Sequence, residues 1–245
     1  MPQNFMFYVD ILIILLILII PFIVLSVIMK FKKSAIGILF IYLFIGVIFL
    51  GLSGILVFIP TTEILKIDDI RFHVLWHLIF YLAMISFILG GAKSKNLENL
   101  AGKEVSDSKD INRISIFLIV SIIALILFFI VAKSSNDTTN SLFVFFDKTG
   151  FHHFIAFLLA GISSSYFIFL KKNFGQLFSI IAVPILIALA LFSLQHFWEL
   201  LTENWQIIAL TESFIEGTEK LIIMPAYILI LVSFINARKF LAENL

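Results

Sequence analysis

Histidine and glutamate, in helical spacing, are the residues of this chain best suited to chemistry. Arg71-Phe72-His73-Val74-Leu75-Trp76-His77 sets two imidazoles at i and i+4, on one helical face and about one turn apart. Such a pair offers two ligands to one metal ion, or one haem ligand beside a polar neighbour, and Tyr81 continues the same face. Lys148-Thr149-Gly150-Phe151-His152-His153-Phe154 opens a second apolar stretch. Its adjacent histidines diverge by about 100° around a helix, so only one of the two is expected to face a bundle interior.

Gln195-His196-Phe197-Trp198-Glu199-Leu200-Leu201-Thr202-Glu203 puts His196, Glu199 and Glu203 on one stripe at i, i+3 and i+7. The His-x-x-Glu spacing resembles the ligand pair of di-iron helical bundles, which place Glu before His. Glu212, Glu216 and Glu219 form a further acidic stripe. Ser213-x-x-Glu216 also has the form of a capping box, in which Glu216 bonds the first-turn backbone and the neighbouring acids complement the positive helix end.

With no cysteine in the chain, thiolate ligation and disulfides are excluded. His77, His153 and His196 each lie in apolar sequence, where polar groups need partners and ionisable groups are functional candidates. Neutral imidazoles and carboxylates from separate helices suit Zn²⁺, Fe²⁺ or Cu²⁺. The expected ligands are His77, His153, His196 and Glu199, with Glu216 as general base for hydrolysis of a lipid or other interfacial substrate. Glu203 and Glu219 would orient imidazoles, and His73, His152, Asp10 and Tyr81 would complete the polar surroundings. Haem held between His77 and His153 is an alternative cofactor. A cation- or proton-responsive sensor or transporter, and a structural subunit bound to other membrane proteins, are alternative functions.

The elements that must position these residues follow from composition: 61% hydrophobic, 13% charged, 29 Phe and a mean hydropathy of +1.12. These values lie far outside a soluble domain and predict an all-α, polytopic membrane protein in contact with lipid, with no nucleic-acid motif. A bilayer core needs about 20 apolar residues per helix. On that measure seven spans are expected, near 6–30, 34–59, 72–91, 114–133, 150–170, 176–201 and 213–237, forming one transmembrane domain over 1–245. The runs do not alternate in polarity, which excludes barrel strands.

Twelve Lys and Arg residues fall on one side of these spans and five (Lys66, Arg71, Lys133, Lys148 and Lys220) on the other. That bias predicts an external amino terminus, a cytoplasmic carboxyl terminus and a plasma-membrane location. Residues 92–112 form the one sizeable hydrophilic stretch and are expected to be a mobile cytoplasmic connector. The last span has no lysine between Leu221 and Ala237, so it lacks the Schiff-base residue of a retinal protein. Gly46, Gly51 and Gly54 predict close helix packing in the second span. Pro21, Pro184 and Pro225 predict kinks in the first, sixth and seventh.

Overall fold

The computed structural model describes residues 3–31, 35–58, 69–94, 108–134, 141–173 and 175–244. Helices account for almost all of them, and no strand occurs among the described residues. In chain order they are α1 (Gln3–Phe31), α2 (Ala35–Phe58), α3 (Asp69–Ser94), α4 (Ser108–Ser134), α5 (Ser141–Thr149), α6 (Phe151–Asn173), α7 (Gly175–Glu199), a π-helical turn (Leu200–Asn204) and α8 (Glu212–Asn244).

Six helices are long and apolar enough to cross a bilayer, over Met6–Met29, Leu39–Leu56, Ile70–Ala92, Phe151–Ile168, Ser179–Asn204 and Glu212–Phe240. Six such helices mark a multi-pass membrane protein, because in lipid a helix satisfies its own backbone polar groups. The expected fourth span lies in α4, whose apolar stretch over the described residues, Ile114–Phe128, is shorter than the others. The expected connector is narrower than 92–112, since α3 continues through Ser94 and α4 begins at Ser108. Residues 95–107 lie outside the described residues, as do Lys32, Lys33, Lys66, Lys95 and Lys103, on which the charge bias partly draws.

The helices pack chiefly as α2 on α3 and as α6, α7 and α8 in series, with α1 against both α2 and α8. In lipid the apolar effect does not drive helices together, so close backbone approach and interhelical hydrogen bonds do. Glycine provides the approach on α2: a Cβ at Gly46 would sit 3.1 Å from the Phe87 ring, and one at Gly54 would sit 2.6 Å from Ile17. Hydroxyls provide the bonds. Ser86 donates to Tyr42 O at 2.7 Å, Ser193 to Phe157 O at 3.0 Å and Ser233 to Ile181 O at 2.8 Å. By contrast, α4 stands at the margin with Ile116, Ile122 and Ile126 exposed, touching α2 through the perpendicular rings of Phe117 and Phe49. Pro21, Pro184 and Pro225 each lie inside a helix.

Two local irregularities shape one end of the bundle. Gly150 has φ +65 and separates α5 from α6, a left-handed conformation that glycine adopts without a Cβ clash. A Cβ there would also lie 2.6 Å from Asn204 Cγ. Asn204 closes the π-helical turn that prolongs α7, in which Trp205 N–H donates to Leu200 O at 2.9 Å. The histidines that open α6 and the acids that end α7 are thereby locked side by side.

Candidate metal centre

His77 on α3, His153 on α6, and His196 and Glu199 on α7 converge inside the bundle. One ligand atom from each lies within 4.8 Å of all the others, and all four residues are buried. His77 Nε2 is 3.1 Å from His153 Nδ1. Glu199 Oε2 is 2.7 Å from His153 Nδ1 and 2.7 Å from His196 Nδ1. The i, i+3 spacing of His196 and Glu199 makes their contact local, whereas His77 and His153 are brought in by helix packing.

The donor set fits a divalent cation. His77 Nδ1–H donates to His73 O, one helical turn earlier, at 2.8 Å. A neutral imidazole committed in that way carries its lone pair on Nε2. His153 Nδ1 then faces two acceptors, His77 Nε2 and Glu199 Oε2, with at most one hydrogen to share between them. His196 Nε2 is buried with no hydrogen-bond partner among the described residues. A cation bound by one nitrogen of each ring and by a Glu199 oxygen would take up lone pairs that hydrogens do not. Tetrahedral ligation at bonds of about 2.0 Å separates ligand atoms by roughly 3.3 Å, and the contacts of 2.7 and 3.1 Å within a group no wider than 4.8 Å bracket that separation.

The surroundings support those ligands in the way metal-bound imidazoles require, with the second ring nitrogen or the carboxylate held from behind. The His73 carbonyl orients His77. Gln195, one turn before Glu199 and buried, donates Nε2–H to Glu199 Oε1 and fixes the carboxylate plane. Sequence reasoning missed Gln195, although its i, i+4 spacing to Glu199 was a usable signal. Glu203 Oε2 stands 3.9 Å from His153 Nε2, beyond direct hydrogen bonding.

The expectation that only one of His152 and His153 faces inward is corrected, since both are buried. The roughly 100° between them points the two rings at different neighbours within the protein. His153 meets α7, while His152 packs edge-on against the His77 ring at 4.4 Å and donates Nδ1–H to Phe146 O of α5 at 2.7 Å. The short helix α5, not anticipated from the sequence, is what encloses His152. Tyr81 donates its hydroxyl to His152 O at 2.7 Å and so ties α3 to the start of α6. His73 is exposed, with its ring stacked on that of His152 at 6.3 Å.

The capping-box reading of Ser213 and Glu216 is also corrected. Thr211 O accepts from Phe214 N and Ile215 N, so α8 begins at Glu212 and Ser213 already lies inside its first turn. Asp10 stands apart from the four-residue group. Its carboxylate is paired with Lys220, whose Nζ lies 3.0 Å from both oxygens, joining α1 to α8.

A cavity of about 410 Å³ opens beside the group among α1, α2, α3, α7 and α8, and His153 and Glu199 form part of its wall. Glu203, Glu216 and Glu219 line one region, while Leu50, Phe192 and Tyr227 line another. Along α8 the lining runs from Glu216 and Glu219 to Ile223 and Tyr227, and along the antiparallel α7 from Glu203 and Glu199 to Phe192. The cavity is therefore acidic at one end and apolar at the other, with two members of the cluster between. Comparison with family models, curated proteins and solved structures finds no match, so functional inference rests on this geometry.

Proposed function

We propose that the protein is a membrane-embedded metallohydrolase whose centre is held by His77, His153, His196 and Glu199. The observation that carries this reading is the convergence of three imidazoles and a carboxylate from three helices at the wall of a cavity. Zn²⁺ and Fe²⁺ suit such a nitrogen and oxygen set. With a fifth position, or one of the four residues off the metal, left open to water, a divalent ion there would supply Lewis-acid activation and make that water a nucleophile near neutral pH. Glu216, facing the same cavity, is the proposed general base.

The same contacts disfavour haem. Axial ligation requires two imidazoles on opposite faces of a macrocycle, whereas the His77 and His153 rings touch edge to face with centroids 4.6 Å apart. In the proposed topology α4 supplies a seventh span, the amino terminus is external and the carboxyl terminus cytoplasmic. The centre then lies near the outer surface of the plasma membrane, where lipid and interfacial substrates reach the cavity.

Elemental analysis of protein purified from membranes tests the metal. About one divalent ion per chain is expected, with its loss in both His77→Ala and His196→Ala. A folded wild-type protein that neither retains nor rebinds Zn²⁺ or Fe²⁺ overturns the reading. A metal-loaded protein that carries ions across liposomes and hydrolyses no acyl ester or amide replaces the hydrolase with a carrier.

A further inference from the structure

The cavity has chemical features that bear on substrate choice. Four carboxylates line it: Glu199, committed to the cluster, and Glu203, Glu216 and Glu219 toward the acidic end. The one ammonium among the described lining residues, Lys220, is paired with Asp10. Glu219 Oε1 is buried with no hydrogen-bond partner among the described residues, and the Glu203 and Glu219 carboxyl groups bond to one another, which needs a proton held between them. Carboxyl groups crowded at an apolar wall repel when ionised, so they either retain a proton between them or take a cation in its place.

A second unmet group is a donor. Trp76 lines the cavity beside the cluster, its ring 5.7 Å from that of His196, and its Nε1 is buried with no acceptor among the described residues. The far end, at Leu50, Phe192 and Tyr227, is apolar. The volume falls at the small end of ligand cavities, which run from about 300 to 1,000 Å³, and favours one acyl chain over the two of a common phospholipid. Glu203 follows Glu199 across the π-helical turn, so the acidic end begins about one turn from the cluster.

From these features we infer that the substrate is a single-chain acyl ester or amide with a short cationic headgroup. The chain occupies the apolar end, the acyl carbonyl lies at the cluster with Trp76 as a donor to its oxygen, and the ammonium sits beside Glu203 and Glu219, leaving Glu216 as the base. An anionic phosphate head is rejected by the same carboxylates. In the reaction one bond forms between water oxygen and the acyl carbon and the bond from that carbon to the leaving oxygen or nitrogen breaks. One water proton passes to the leaving group, the other is released from the carboxylic acid, and no redox partner is required. The inference rests on the hydrolase reading, so its test has an arm that does not depend on turnover.

In that arm, non-hydrolysable dodecyl ethers bearing a trimethylammonium, hydroxyl or sulfonate head are titrated into metal-loaded protein in nanodiscs of zwitterionic lipid. Binding is read by quenching of Trp76 with brominated chains, in a Trp198→Phe, Trp205→Phe background. The cationic probe is expected to bind roughly tenfold or more tightly than the sulfonate, a ratio that needs no change in the acidic wall. In Glu219→Gln the ratio is expected to fall severalfold while metal content stays at the unsubstituted level. Equal binding of the three heads, or preference for sulfonate, overturns the inference. In the second arm, dodecanoyl esters with the same heads are assayed for cleavage. Cationic preference in binding without cleavage of any ester supports the cation site and removes the hydrolase; cleavage indifferent to the head keeps the hydrolase and removes the inference.

Discussion

Nε2 of His77 and Nδ1 of His153 lie 3.1 Å apart, although 76 positions separate them in the chain. The His77 Nε2 carries a lone pair because its Nδ1–H is committed to the His73 carbonyl. That lone pair faces His153 Nδ1, which itself lies 2.7 Å from Glu199 Oε2, an arrangement that a shared cation would satisfy better than one hydrogen does. The relationship separates the roles of the two histidines in the His73/His77 motif.

His77→Ala is expected to abolish stoichiometric metal binding, whereas His73→Ala should leave metal content near the wild-type level. The reason is that His73 acts on the centre through its backbone carbonyl, which alanine retains, while its imidazole lies exposed against His152. Elemental analysis of both variants, purified in parallel, checks this. Equal loss in the two would mean that the His73 ring is itself a ligand.

Gln195→Leu removes the donor that holds Glu199 Oε1 while keeping similar bulk. Groups that orient a metal ligand typically contribute about 10- to 100-fold in metal affinity, and a loss in that range is expected here. Competition with a chromogenic chelator gives the ratio directly. An affinity within about twofold of wild type would show that Glu199 needs no support from Gln195.

What was legible in the sequence divides along physical lines. The apolar helices were legible because a bilayer demands long uninterrupted runs, and six of them meet that demand among the described residues. The pairing of His196 with Glu199 was legible because helical spacing is local. The meeting of α3, α6 and α7 at one depth was open only to inference, since it depends on packing between segments far apart in the chain. The burial of both His152 and His153 was not legible. It depends on α5 folding back over the start of α6 through the positive φ of Gly150, and α5, at 9 residues, is too short to register as a membrane span. The Asp10–Lys220 pair, bridging the first and last helices, was hidden for the same reason of distance along the chain.

Gly150→Ala tests that local geometry. Its φ of +65 is poorly tolerated by alanine, and the added methyl would meet Asn204 of the π-helical turn at 2.6 Å. A non-glycine residue held in such a conformation costs about 1–3 kcal/mol, so a lower thermal midpoint is expected. Because the Gly150–Asn204 contact joins the start of α6 to the end of α7, metal affinity should fall as well. Adding Asn204→Gly removes the steric part, and the double variant should recover some stability without reaching wild type, since the φ penalty remains. Thermal unfolding in detergent with and without added Zn²⁺ distinguishes the two contributions.

Stripping the metal should destabilise the bundle from within. The centre leaves three imidazoles and a carboxylate buried among apolar side chains, including Phe80, whose ring meets that of His196 at 4.5 Å. An ion that binds the folded protein and not the unfolded one adds about 2.7 kcal/mol when its free concentration is 100 times the dissociation constant. A strong chelator is therefore expected to lower the thermal midpoint of the wild type by several degrees, and excess Zn²⁺ should restore it. In His77→Ala the midpoint should start lower and respond to neither reagent, because a group missing one buried ligand no longer couples metal to folding. If chelator and Zn²⁺ moved the His77→Ala midpoint as far as that of the wild type, the stabilising ion would have to bind away from the four converging residues.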